Sequence, residues 1–586
     1  LAVHGGGTRS SRITANAMGL LTGRGVFGKG TGDSPASLFA NGEVGAWYDP
    51  SDLSTLFQDS AGTTPVTAVE QAVGLMLDKS KGLVLGPELV TNGDFSSGTG
   101  WNTGGAWTIA GGNASASGTT TIIWQPGTTA VAGKTYQVTF TISSYTSGSL
   151  RFEFGGVNGT TRTAAGTFTQ YILATNANAI VIQPTSTFTG SIDNVSVKEL
   201  PGNHAYQSTS ASRPVLRARY NLLTYSEQFD NAAWTKINTN ISADTTAAPN
   251  GSLTGDTATT TSTNDGISRA LTGLSANTTY TQSFYVKAGT ATWLRIVLFE
   301  TVASVNRVSA WFNLSTGLAG SATNGGTGTG AAVSVTNAGD GWYRVALSGA
   351  VNNSATACTV QISTAASDGS TTGASGVSYI LWGAQLIVTN SLLSNAYQRI
   401  AAATDYDTAG FLPYLAFDGT DDSLLTNSVD FSATDKMTVW AGVRKLSDAA
   451  RGMLVELNTG ATDTGIFNIN APNASLGNFS FVSAGGTVAS AVATIAAPAT
   501  QVLTGIGDIN APLAVIRTNG AQAAAVTTSQ GSGNYLNAAL YIGRRGGASL
   551  PFNGNLYSLI IRGAQSNASQ ISATESWVAQ KTGVTL

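Results

Sequence analysis

The chain has 586 residues, of which 10% are charged and 42% hydrophobic, with a net charge of −3. At roughly 150 residues per domain it holds about three to five domains, and an ordinary apolar share excludes a charged disordered tail. No apolar stretch approaches the roughly 20 residues that span a bilayer, so membrane insertion is not expected, and no basic run supplies the field of a nucleic-acid binder. The single cysteine, Cys358, and the two histidines, His4 and His204, exclude an internal disulfide and a Cys/His zinc site. The 70 glycines and 14 prolines show no Gly-X-Y period, which excludes collagen; with abundant Thr, Ser, Ala and Asn they suit many short strands joined by tight turns, an all-β chain.

Residues 1–45 are Gly-rich, carry Arg9, Arg12, Arg24 and Lys29, and show no sustained periodicity. They read as an extended N-terminal arm, and their opening lacks the uninterrupted apolar core of a secretion signal. The arm includes MGLLTGRGVFG, whose Leu20, Leu21, Val26 and Phe27 would find burial only against another chain, which makes them the expected attachment residues.

From Trp47 to Asp78 turn chemistry at Asp49-Pro50 and Asp59 to Pro65 separates short apolar runs, the opening of a β domain. Two self-similar stretches follow. Residues 86–200 begin GPELVTNGDFSSGTGW and end FTGSIDNVSVKEL; residues 219–388 begin RYNLLTYSEQFDNAAW and end VSYILWGAQLIV. Each has an opening segment with a Phe and a Trp a few residues apart, a central alternating strand pair and a closing strand. In the first, Tyr136, Val138, Phe140 and Ile142 alternate with Gln137, Thr139 and Thr141, one buried and one wet face. In the second, Tyr280, Gln282, Phe284 and Val286 hold the matching phase, with Gln282 the polar exception. Both lengths suit a two-sheet jelly roll. These units resemble the carbohydrate-binding-module-like jelly rolls of bacteriophage structural proteins and secreted glycan-degrading enzymes.

The last region, about 400–586, contains YLAFDGTDDSLLTNSVDF, then FNGNLYSLIIRG and SQISATESWVAQKTG. It is similar to concanavalin-like, or laminin-G-like, sandwich domains of tailed-phage proteins, in which a Phe-Asp-Gly-x-Asp-Asp turn follows an early strand and a short helix closes the domain. In those domains a WYDPSD…GNHA-x-Q…RP segment precedes the early strand. Here Trp47 to Gly82 carry its first part, and Gly202, Asn203, His204, Ala205 and Gln207 with Arg213 and Pro214 the rest. The resemblance therefore implies a discontinuous sandwich made of 46–82, 202–218 and 391–586, with jelly rolls inserted at 83–201 and 219–390. The alternative is beads on a string, in which 46–82 would pack alone on too small a core.

Catalytic groups are scarce. His204 is the one histidine outside the arm and reads as a turn residue; no G-x-S-x-G elbow occurs, and Glu456 in MLVELN lacks an acidic partner at +2 or +5, so no glycosidase carboxylate pair is legible and an enzyme is not expected. Asp94 and Asp193 are single carboxylates near strand ends. Asp418, Asp421 and Asp422 are hard oxygen donors in one turn, candidate Ca²⁺ ligands whose competing role is to build that turn through backbone bonds; no other cofactor is implied. Carbohydrate binding by β sandwiches uses aromatic rings flanked by polar side chains, so Trp101, Trp107 and Trp124 in the first jelly roll, Trp234, Trp293 and Trp342 in the second, and Arg544 and Arg545 in YIGRRGG are the candidates. Core burial and a solvated turn are the competing readings.

The resemblances imply a structural protein of a tailed-phage virion, a fibre, spike or head-decoration subunit on the virion surface. It would contact other virion proteins through residues 1–45, assemble as a homotrimer and bind host-surface glycan. A secreted bacterial polysaccharide-binding or polysaccharide-degrading protein, or a bacterial surface adhesin, stands as the alternative.

Overall fold

The computed structural model describes residues 34–272, 274, 278–351, 357–388, 396–458 and 464–586. The chain is all-β, with antiparallel pairing throughout its named ladders, and its buried apolar residues fall into three large clusters. One cluster draws on Ala46, Tyr48, Leu56 and Met76, then Ala205 and Leu216, then residues from Leu415 to Ile561, three pieces distant in sequence around one core. The second holds Phe95 to Val197 and the third Leu223 to Leu386, so each repeat encloses its own interior.

The discontinuous sandwich has two sheets. In one, Gly45–Tyr48 and Lys436–Lys445 both pair with Asn553–Arg562, while Val215–Arg217 pairs with Tyr414–Asp418. In the other, Ala205–Tyr206 lies between Leu75–Met76 and Leu424–Asp430. The helix Ala568–Thr582 closes the domain. Asn567 and Gln570 form a reciprocal capping box at its start, and Gly583, at φ 70°, ends it in the left-handed conformation. Its Trp577 and Val578 pack with Trp47, Trp440 and Ile560 on the outer side of the first sheet.

The N-terminal segment departs from the expectation of an arm over 1–45. Residues 35–39 form a 3-10 turn whose Leu38 and Phe39 are buried beside Trp47 and Trp440, and Arg562 donates to Leu38 O at 2.8 Å and to Glu43 Oε1 at 2.6 Å. The apolar pair LF and Glu43, with bonds to backbone carbonyls from Gly563 N to Val44 O and from Lys81 Nζ to Glu43 O, dock 34–45 on the sandwich. Leu20, Leu21, Val26, Phe27 and His4 lie outside the described residues.

The central strand of each repeat behaves differently. In Thr135–Phe154, Tyr136, Val138, Phe140 and Ile142 are buried, whereas Thr139 and Thr141 bond to Thr169 and Thr167 on an exposed outer ladder. In Tyr280–Ala288, Tyr280, Gln282, Phe284 and Val286 are buried, but so are Thr281 and Ser283. There the segment after 395 lies across the outer side: Gln398 N donates to Gln385 Oε1, and Tyr397 packs on Trp382 at 4.7 Å and on Tyr285 at 5.9 Å.

Where the chain leaves the sandwich and returns, buried polar side chains clamp the crossing strands. At the first junction the Asp78 carboxylate, fully buried, accepts from the backbone N–H groups of Trp47, Ser80 and Asn203 and from Ser80 Oγ, at 2.7–2.8 Å. Asp78 N–H in turn donates to His204 Nδ1 at 2.9 Å, which leaves the ring proton on Nε2 facing Leu200 O at 3.2 Å. Burial lowers the His204 pKa, so the ring stays neutral and structural. Gly202, at φ 145°, sits so close that a Cβ would lie 2.9 Å from the His204 ring. At the second junction Gln398 Oε1 accepts from Tyr220 N and Asn221 N, and its Nε2 donates to Ala218 O and Asp407 O. Asn221 reciprocates, donating to Ala384 O and Gln398 O and accepting from Leu223 N and Leu386 N.

Truncating either clamp strands several buried donors and acceptors. Asp78→Ala is expected to lower unfolding stability by about 3 kcal/mol and Asn221→Ala by roughly 2 kcal/mol. Urea denaturation followed by tryptophan fluorescence measures both; a loss below about 0.5 kcal/mol for either would show that the junction is held by packing alone.

Candidate functional site

The six tryptophans singled out by sequence separate into two groups. Trp101 and Trp234 occupy equivalent places in the two repeats: each indole N–H donates to a backbone carbonyl nine residues upstream, Asn92 O at 3.0 Å and Tyr225 O at 2.9 Å, and each ring centroid lies 5.0 Å from that of a buried Phe, Phe95 and Phe229. Trp107 donates to Thr121 O and stacks on Phe188, and Trp342 donates to Ala247 O. All four are buried. They are core anchors rather than sugar platforms, because a ring packed against its own sheet has no face left for a ligand.

Trp124 and Trp293 are half-exposed, and each stands on the outer face of a sheet. In the first jelly roll Trp124 lies opposite Val181, which lies opposite Glu153; one row along the same face Arg151 lies opposite Gln183. The Arg151 guanidinium forks onto Gln183 Oε1 with Nε at 3.1 Å and Nη2 at 2.8 Å. In the second jelly roll Trp293, Arg295, Val297 and Phe299 alternate with the core residues Leu294, Ile296 and Leu298. Trp311 and Ser363 flank Arg295, and Ser309 and Gln361 flank Val297. Arg295 Nη2 donates to Ser309 Oγ at 3.0 Å, its guanidinium lies 5.3 Å from the Trp311 ring centroid, and its Nε is buried without a partner among the described residues. Burial, and then the like charge of Arg307, pushes the Arg295 pKa down to about 10. Both jelly rolls thus present an indole, a guanidinium held by the neighbouring strand, and a glutamine amide on one outer face. Sequence reading found the two tryptophans and missed Arg151, Gln183, Arg295, Trp311 and Gln361; the two-residue alternation 293–295 was the available signal.

Arg545 and Arg544 do not reach outward as expected. Arg545 Nε pairs with Glu456 Oε2 at 3.0 Å, Gly546 N–H donates to Glu456 Oε1 at 2.9 Å, and Arg544 donates to Ala548 O. The Glu456 carboxyl is raised above its ordinary pKa by burial, against the opposing effect of Arg545. The turn 544–549 is therefore folded onto its own sheet by a buried ion pair. Asp94 accepts from Ser96 N, and Asp193 from Asn194 N and Nδ2, both as local turn bonds.

Asp418, Asp421 and Asp422 do come together, with one carboxylate oxygen of each within 4.8 Å of the others. Asp418 Oδ1 accepts from Thr420 N and Asp421 N, Asp422 Oδ2 accepts from Asp418 N, and Asp421 Oδ2 accepts from Ser212 Oγ. These bonds close the turn and join it to 210–213, leaving three carboxylate oxygens for a cation that takes six to eight.

No protein-family model matches the chain, and no curated protein matches it in sequence. Among solved structures, one of botulinum neurotoxin type C, whose cell entry depends upon interaction with two ganglioside molecules, is 10% identical over 29% of this chain and 43% of that one, with a TM-score of 0.23. The NanB sialidase from Streptococcus pneumoniae is 12% identical over 27% of this chain and 26% of that one, with a TM-score of 0.21. The binding domain of botulinum neurotoxin DC in complex with SialylT is 9% identical over 29% and 43%, with a TM-score of 0.23. The chain spans less than half the length of each, and at these scores the likenesses carry no functional argument.

Asp422 provides a pH handle on the acidic turn. Burial first, then the charge of Asp418, raises its pKa from 3.8 to about 7. Between those values the folded protein keeps a proton that the unfolded chain has lost, so this contribution to stability is complete below about pH 4 and is lost as pH rises through 7. Asp422→Asn, which retains the acceptor for Asp418 N–H, is expected to leave the urea midpoint near pH 4 unchanged and to raise it near pH 8. Equal midpoints near pH 8 would show that the carboxyl titrates normally.

Proposed function

We propose that this chain is a non-catalytic, carbohydrate-binding display protein whose two jelly rolls bind glycan on their outer faces. The observation that carries the reading is the repeated set Trp124, Arg151, Gln183 and Trp293, Arg295, Gln361, each on one sheet face with its guanidinium already oriented by a neighbouring strand. An indole covers the apolar face of a pyranose, and amide and guanidinium donors select its hydroxyls or a carboxylate. Orienting the arginine beforehand reduces the entropy lost on binding. Each such face is weak; two faces per chain, multiplied by copy number, give avidity.

A binding role rather than glycan cleavage agrees with the use of Glu456, whose two oxygens are taken up by Arg545 and Gly546. The resemblance to tailed-phage virion proteins supports placing the chain on a particle surface, as a fibre, spike or decoration subunit in a homo-oligomer. In that reading residues 1–33, with Leu20, Leu21, Val26 and Phe27, attach it to other virion proteins, and the docked segment 34–45 joins them to the sandwich.

Trp124→Ala and Trp293→Ala are each expected to weaken binding to a glycan array by about 3–10-fold, the worth of one ring contact, and the double variant to lose it, with unchanged circular dichroism. An array that retains nothing at micromolar protein, or retention untouched in the double variant, would defeat the reading. For the particle role, deletion of residues 1–33 is expected to abolish incorporation into virions; full incorporation of the shortened chain, scored by immunogold labelling against the C-terminal domain, would move attachment elsewhere.

A further inference from the structure

A groove of about 240 Å³ runs along the seam between the first jelly roll and the sandwich; its rim residue Asn158 lies opposite Glu153, at the end of the row that begins with Trp124. Its walls come from the two domains together: Tyr171 and Asn158 from the jelly roll, Tyr206, Asn203, Ser60 and Ser208 from the sandwich. A groove of this volume holds several waters and has room for one sugar ring.

The walls are preorganised. Tyr171 N–H donates to Ala61 O at 2.7 Å, its hydroxyl accepts from Gln137 Nε2 at 3.2 Å, and its ring meets the Phe57 ring edge-on at 5.2 Å. Asn427 Nδ2 donates to Gly133 O at 2.7 Å and holds the two domains together at the groove. Asn203 Nδ2 is committed to Gly45 O, which turns its amide into a fixed acceptor. In contrast, the Tyr206 hydroxyl, the Asn158 amide and the Ser60 and Ser208 hydroxyls have no partner among the described residues. The sandwich strand in the wall, Ala205–Tyr206, is paired on both edges, so its recognition groups are side chains.

The chemistry of the lining selects the ligand class. No Asp, Glu, Lys or Arg lines the groove, and His204 in its wall is held neutral by its two hydrogen bonds and by burial. Two tyrosine rings with unpaired amide and hydroxyl groups on an otherwise apolar wall suit a small, uncharged polyol with an apolar ring face. We infer that this seam is a binding site for a single neutral hexopyranose, such as the terminal residue of an uncharged glycan, held between the jelly roll and the sandwich. The inference rests on the carbohydrate-binding reading and adds to it a second, charge-free subsite built from both domains.

Saturation-transfer NMR on the full chain carrying Trp124→Ala and Trp293→Ala, which removes the outer-face platforms, tests it with the methyl glycosides of glucose, galactose, mannose and N-acetylglucosamine, and with methyl glucuronide. At least one neutral glycoside is expected to receive saturation and the glucuronide none. The signal should fall at least fivefold when Tyr206→Ala or Asn158→Ala is added. Asn158 is exposed on a hairpin and Tyr206→Phe removes only the hydroxyl, so these two variants keep the test decisive if Tyr206→Ala misfolds. No transfer to any neutral glycoside in that background, equal transfer to the glucuronide, or a signal unmoved by both Tyr206→Phe and Asn158→Ala would overturn the groove; transfer seen only in the chain that keeps both tryptophans would leave the outer-face reading standing.

Discussion

Everything that the two jelly rolls contribute depends on how the chain is held where it leaves the sandwich and comes back. Polar groups taken out of water are costly unless every donor and acceptor is met. At the first junction a single carboxylate, Asp78, meets three backbone N–H groups and a hydroxyl, while His204 meets the remaining donor. At the second, Asn221 and Gln398 exchange bonds with each other's backbone and with both flanking segments. Each solution works in one geometry, because shifting either strand by one residue would strand several buried groups at once. In a chain with only 10% charged residues, these two knots, one singly charged and one uncharged, fix the geometry of both junctions, beside long-range ion pairs such as Arg562 with Glu43 and Lys581 with Asp49.

The first knot also sets the groove. Asn203 and His204 belong to the clamp and to the groove wall, so the same residues that close the sandwich set Tyr206 in the wall that it shares with Tyr171. The outer faces answer to a different constraint. There each strand repeats every two residues, and cross-strand register alone aligns Trp124 with Val181 and Glu153, or Arg295 with Trp311 and Ser363. One kind of surface is local to a sheet; the other exists only where two domains meet.

Some of this was legible and some was not, for reasons that individual residues make plain. The Phe and Trp that open each repeat signalled the repetition because they are the same core pair, Phe95 with Trp101 and Phe229 with Trp234. The same reading offered those tryptophans as ligand platforms, since composition cannot distinguish a ring that faces the core from one that faces water. Arg545 looked like a free cation on a Gly-rich turn because its partner, Glu456, is 89 residues away in sequence. Leu38 and Phe39 were lost in a Gly-rich segment whose periodicity is too short to register, yet they pack beside Trp47 and Trp440 and help to dock it.

From the sequence alone came the all-β class, the two repeats and the alternation of the first central strand, because period and turn chemistry are local properties of the chain, while the closing helix was implied only by the resemblance to concanavalin-like domains. Tertiary structure decided which tryptophans are exposed, that the central strand of the second repeat is covered on both sides, where each buried carboxylate finds its donors, and that a charge-free groove lies between two domains. Those features arise from contacts between residues tens to hundreds of positions apart. Burial and hydrogen-bond satisfaction are properties of the surroundings of a side chain, and no local pattern encodes them.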